Sequence, residues 1–110
     1  MIKTGIDLVN NKRLEKNFSD EKFLEKVYHV SELRDKSKLI SIFALKEATM
    51  KALGKKVDWK EIEIKYIDSR PEIRLSEDIK PESFVSIDGS VSHDGEYTVA
   101  FVAIELNRNN

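Results

Sequence analysis

The sequence contains no cysteine in its 110 residues, so disulfides, thiolate chemistry and cysteine-based zinc sites are excluded. It has no glycine-rich phosphate loop, no internal repeat and no low-complexity segment, and nothing in it resembles a Ser/His/Asp triad. The longest apolar runs fall far short of the roughly 20 residues that cross a bilayer, so no membrane partner is expected. Met1 leads directly into strand-like sequence, without the basic and apolar regions of a signal peptide, and a cytoplasmic location is expected. Basic residues alternate with acids, and no aromatic side chains interleave with them. A nucleic-acid partner is therefore not expected either.

What is present is an ordinary balance of 40% hydrophobic and 35% charged residues. That balance predicts one small domain over residues 1–106 and a frayed tail over 107–110. The net charge is only −1, yet it is unevenly spread. Residues 1–56 hold 13 Lys/Arg against 8 Asp/Glu, and residues 57–110 hold 6 against 12. Two solvated faces of opposite sign would account for this; so would a basic surface offered to an anionic ligand or an acidic protein.

Residues 2–9 alternate as a strand, with Ile2, Thr4, Ile6 and Leu8 on one side and Lys3, Gly5, Asp7 and Val9 on the other. Gly5 would leave room beside Asp7 for a ligand to approach. Residues 11–28 read as helix, broken near Asn17–Asp20, with Phe18, Phe23, Leu24 and Val27 as the apolar stripe. Ser31 is placed to cap a short turn through Arg34. The clearest helix covers Lys38–Leu53 and stops at Gly54. Beyond it the period changes to two. Ile62, Ile64 and Tyr66 mark a strand, Asp68–Pro71 a turn, Glu72–Leu75 a return strand and Ser76–Ser83 a loop. Phe84–Ser92 and Tyr97–Leu106 form a last pair of strands, joined across His93–Glu96. This order predicts an α+β domain with an antiparallel sheet and segregated helices.

Three residues stand out chemically. Glu47 and Lys51 are four apart on the main helix and share a face, as a surface ion pair or as functional groups. Asp7 is a second acid set in an apolar strand. If the two carboxylates met within about 4 Å, their repulsion would be about 4 kcal/mol at an effective dielectric of 20. A proton or cation would have to relieve it, and with no neighbouring His or Cys a hard ion such as Mg²⁺ is favoured. Lys51 would then neutralise phosphate charge. His93, in Ser-Val-Ser-His-Asp-Gly, is either a structural turn residue or a phosphate contact with Ser92 as a hydroxyl donor. His29, after an apolar helix end, suits a cap or simple exposure.

These pieces, in order, resemble the holo-[acyl-carrier-protein] synthase family, the small single-domain phosphopantetheinyl transferases. Gly5-Ile6-Asp7-Leu8-Val9 matches the family's opening strand, and Arg13 follows where a basic residue is usual. Phe43-Ala44-Leu45-Lys46-Glu47-Ala48 with Lys51-Ala52-Leu53-Gly54 matches its helix motif. Asp58–Ile64, Pro71 and Ser90–Ala103 match its later segments. The resemblance implies transfer of 4′-phosphopantetheine from coenzyme A to a serine of apo acyl carrier protein, releasing adenosine 3′,5′-bisphosphate. It implies that Asp7 and Glu47 bind Mg²⁺, that Glu47 helps deprotonate the serine, and that Lys51 stabilises phosphate charge. It further implies that Ser92 and His93 hold the nucleotide's phosphates and that the chain is a homotrimer. Ser69 and Arg70 would then reach a neighbouring subunit's nucleotide, and Arg13, Lys22 and Lys26 would receive the acidic carrier. Ile42 departs from a usual arginine, Lys55-Lys56 from Thr-Gly, Met50 from a small residue, and Tyr28-His29 from Phe-Thr. The segment between Leu75 and Phe84 is short, where relatives often carry a helix. Two other readings would keep these residues without the transfer: a non-catalytic trimeric module, or a phosphohydrolase that uses water in place of the serine.

Overall fold

Helix α3 (Leu39–Leu53) is buried on nearly every side, and the rest of the chain wraps it. Its alanines at 44, 48 and 52 recur every four residues, which puts a row of small side chains along one face. Strand β1 (Ile2–Asn10) lies against the helix, and at Gly5 the approach is so close that no side chain fits. A Cβ there would collide with the carbonyl oxygen of Ala48 and lie 2.7 Å from the amide nitrogen of Ala52. The space expected beside Gly5 for a ligand is therefore filled by helix backbone. Gly54, at φ +76°, ends the helix in the left-handed conformation, and its N–H donates to Met50 O at 2.9 Å.

The computed structural model describes residues 1–108. After β1 come two short helices, α1 (Asn11–Glu15) and α2 (Glu21–Val27), with the break at 17–20 that the sequence predicts. Asp20 caps α2 through the N–H groups of Lys22 and Phe23. Two 3-10 turns, Val30–Arg34 and Lys36–Lys38, lead into α3. Ser31 does not cap the first of these. His29 occupies the cap position, and the Ser31 hydroxyl instead donates to Glu63 Oε2 at 2.9 Å.

Strands β2 (Ile62–Ile67) and β3 (Arg70–Leu75) form a two-stranded hairpin. Its turn is only Asp68-Ser69, both at positive φ (49° and 66°), so Arg70 and Pro71 are strand residues and not turn residues. Strands β4 (Phe84–Asp94) and β5 (Tyr97–Leu106) join β1 in a separate antiparallel sheet ordered β1-β5-β4. β4 runs two residues further than the sequence indicates, which makes His93 a strand residue paired with Thr98. Leu106 ends β5, and the predicted frayed tail is described only for Asn107 and Arg108, neither in a helix or strand. Asn109 and Asn110 lie outside the described residues.

One face of the three-stranded sheet supplies Val102, Ala100 and Ile104 to the core with α3. The other face is open and apolar. Ile6 pairs with Phe101 and Leu8 with Val99, and Ile6, Leu8 and Phe101 are 59%, 66% and 44% exposed.

Candidate active site

Strand alternation turns Asp7 inward with Gly5 and Val9, away from Ile6 and Leu8. Its carboxylate is only 12% exposed and meets Lys51 Nζ at 3.3 Å, while Lys51 also donates to Ile6 O at 3.0 Å. Burial pushes the Asp7 carboxyl above the usual carboxylate range, and the Lys51 hydrogen bond and charge only partly oppose that. Glu47 lies one turn before Lys51 on α3. It lines a hollow of about 260 Å³ together with Asp7, Asn10, Arg13, Asn17 and Phe43. The strand acid and the helix acid therefore line one hollow. The Phe43 side of that cavity is backed by Trp59, stacked at 5.0 Å, and by Phe23 at 6.2 Å. On its other side Glu47 borders a second hollow of about 280 Å³, shared with Lys51, Gly54, Lys55 and Lys56.

Among the described residues no group of three or more His, Cys, Asp or Glu gathers as a metal cage. Two carboxylates remain as donors. A pair of hard oxygen ligands with the other positions left to water and phosphate is how Mg²⁺ is commonly held, so the residues fit that ion. A buried acid paired only with an exposed lysine, 55% exposed here, is incompletely neutralised.

A third hollow, of about 290 Å³, brings Ser69, Arg70 and His93 together with Lys38. His93 Nδ1 is 2.8 Å from the Thr98 hydroxyl, which itself donates to Asn11 Oδ1 at 2.8 Å. With its own proton committed, the hydroxyl accepts from Nδ1–H, and the His93 Nε2 is left unengaged. Ser92 does not join this group. It follows strand alternation to the opposite face of β4, beside Val99 and the open apolar surface. Arg13 borders the Asp7–Glu47 hollow, whereas Lys22 and Lys26 are exposed on α2.

One pair escapes a local reading of the sequence. Lys46 and Glu32 are both fully buried and lie 2.8 Å apart. Lys46 Nζ also donates to Val27 O at 2.7 Å. Glu32 accepts from the His29 N–H and from the Ile64 N–H, both at 2.8 Å. Lys46 stands four residues after Ile42 and three before Thr49, on a buried arc of α3, and that position is the one sequence signal that it needs an acid.

A sequence model of the 4′-phosphopantetheinyl transferase superfamily matches residues 3–102. A holo-[acyl-carrier-protein] synthase of Helicobacter pylori strain HPAG1 is 40% identical, the match covering 94% of this chain and 98% of the relative. That of Chlamydia trachomatis serovar L2 is 32% identical over 96% of this chain and all of its own length. The crystal structure of the Helicobacter pylori synthase in complex with coenzyme A superposes with a TM-score of 0.82 at 35% identity, covering 96% of this chain and 100% of that one.

Proposed function

The chain belongs to the holo-[acyl-carrier-protein] synthase family, an enzyme family, and we propose that it transfers 4′-phosphopantetheine from coenzyme A to a serine of an apo acyl carrier protein. The observation that carries this reading is the meeting of Asp7 and Glu47 in one hollow, with Lys51 already seated on Asp7. The serine oxygen forms a bond to phosphorus while the bond to adenosine 3′,5′-bisphosphate breaks in line. The serine proton passes to the Glu47 carboxylate. Mg²⁺ held by Asp7 and Glu47 would supply charge neutralisation at the diphosphate oxygens. Lys51 is exposed and held only by its ion pair with Asp7 and a hydrogen bond to Ile6 O, so it can leave Asp7 for an incoming phosphate and offset the charge that builds on the leaving group.

His93, Ser69 and Arg70 suit the nucleotide's phosphates, since they share a hollow with cationic lining. The open row of Ile6, Leu8 and Phe101 supports a homotrimer, because packing against a second copy would remove that apolar surface from water. Ser92 borders this face and would meet a nucleotide only across such a subunit boundary. Arg13 at the rim, with Lys22 and Lys26 nearby in sequence, gives an acidic carrier a basic surface next to the proton acceptor.

The test incubates the chain with coenzyme A, Mg²⁺ and apo carrier protein and weighs the carrier by mass spectrometry. The expected result is a gain of one phosphopantetheine, lost with EDTA. A carrier mass unchanged where a known transferase modifies it would reject the reading.

A further inference from the structure

Thr98 lies on the central strand β5, paired with His93 of β4 on one side and Val9 of β1 on the other. Its side chain is buried, so the hydroxyl finds its partners inside the protein. Asn11, the first residue of α1, is anchored by its own N–H on Glu96 O at 2.8 Å and accepts the Thr98 proton at Oδ1. A hydroxyl has one proton to give. Spent on Asn11, it leaves only lone pairs facing His93 Nδ1, 2.8 Å away.

The opposite direction would also satisfy a buried threonine. Thr98 would then donate to Nδ1, and the neutral ring would carry its proton on Nε2, ready for a phosphate oxygen at any pH. The Asn11 carbonyl excludes that arrangement. Across the hollow the ring shares its space with Lys38 of the turn before α3, Tyr66 of β2 and Arg70 of β3, and no carboxylate lines it. Burial raises the Tyr66 phenol, whose oxygen pairs with Ser41 at 2.7 Å. Asp94 follows strand alternation to the other face of β4, and Lys12 and Glu96 pair with each other at 3.5 Å.

We propose that Asn11 is a positioning residue: through Thr98 it keeps the His93 proton on Nδ1, so the ring grips a phosphate oxygen only after Nε2 takes up a second proton. The inference rests on His93 meeting the nucleotide's phosphates. An entering anion favours the charged ring, and Nε2 is the one nitrogen open to the proton. That proton comes from water and returns to it on release; no bond of the nucleotide changes. Nucleotide affinity therefore falls as pH rises, by up to about tenfold per pH unit for one proton taken up.

Nitrogen NMR of the imidazole rings at about pH 8, where an ordinary histidine is neutral, reads the tautomer without any ligand. His93 should carry its proton on Nδ1 in the wild type and in Asn11→Asp, which can only accept from Thr98. In Asn11→Leu the freed hydroxyl should turn to Nδ1 and move the ring proton to Nε2. Calorimetric titration with adenosine 3′,5′-bisphosphate, in buffers of high and low ionisation enthalpy, should then show proton uptake in the wild type and almost none in Asn11→Leu. A wild-type ring protonated on Nε2, or equal uptake in the two proteins, would overturn the proposal. His93→Ala separates the premise: bisphosphate affinity unchanged in that variant would remove the phosphate contact and the proposal with it. Lost affinity in His93→Ala, with Asn11→Leu like the wild type, would reject the role of Asn11 alone. Carrier modification is scored separately, so an inactive wild type with Asn11-dependent proton uptake would sink only the transfer reading.

Discussion

Helix α3 carries two lysines five residues apart, and each binds an acid from elsewhere in the chain under opposite conditions. Lys46 and Glu32 are sealed from water, 2.8 Å apart, with their remaining hydrogen bonds made to backbone groups of three other segments. Lys51 and Asp7 lie 3.3 Å apart at the edge of a hollow, with the lysine 55% exposed. A buried pair satisfied on all sides locks a structure, because removing either partner strands the other in a low dielectric. An open pair is held weakly and can be exchanged. Glu47 stands between the two lysines and shares Lys51's setting. Lys46 therefore builds the scaffold that α3 presents, while Glu47 and Lys51 line the hollows in which the proposed chemistry would take place.

The sharpest way to break this contrast is Lys46→Met. It should cost about 3–5 kcal/mol of unfolding free energy in urea denaturation, because Glu32 keeps its charge without a counter-ion. A cost near that of Lys51→Met would erase the distinction. Next come the carboxylates. Asp7→Asn and Glu47→Gln should each slow carrier modification by at least about 10²–10³-fold while leaving the circular dichroism spectrum unchanged. Lys51→Met should lose less activity than either and change stability by no more than about 1 kcal/mol.

A smaller effect separates the pairs by pH. Asp7 has a raised carboxyl, so the folded protein holds that proton more tightly than the unfolded chain. Its contribution to stability is present below the ordinary value of 3.8 and falls as pH rises through the raised one. Asp7→Asn should remove this fall and melt at or above the wild-type temperature at neutral pH without added metal. Mg²⁺ should then raise the melting temperature of the wild type but not of the variant. Melting curves across pH, with and without Mg²⁺, read both outcomes. A variant less stable than the wild type at neutral pH would show that Lys51 outweighs burial at Asp7.

The sequence made α3, its Gly54 stop and the strand periods readable, since these follow from local spacing. The break between α1 and α2 was readable for the same reason. What local spacing could not supply was long-range packing. Gly5 looked like an opening for a ligand because nothing in residues 2–9 says that Ala48 and Ala52 occupy that space. His93 looked like a turn residue because Asp94-Gly95 is a turn pair, whereas the ladder to Thr98 carries β4 as far as Asp94. That shift also separates His93 from Ser92 by sheet face. Asp7 and Glu47 could be named from their surroundings, but only the packing of β1 on α3 brings them to one hollow. Glu32 and Lys46, 14 residues apart, illustrate the limit: the arc of α3 marks Lys46 as needing an acid, but nothing local names Glu32 as that acid until the fold joins them.

The most direct test of the account is a double-mutant cycle on transfer rate with Asp7→Asn, Glu47→Gln and the combination. Two carboxylates that serve one ion and one displacement fail together. Either single change should therefore bring the rate close to a common floor, and the double variant should fall little further. Losses that multiply, with the double variant slower by the product of the two single effects, would mean that the two acids act independently and would contradict the shared site.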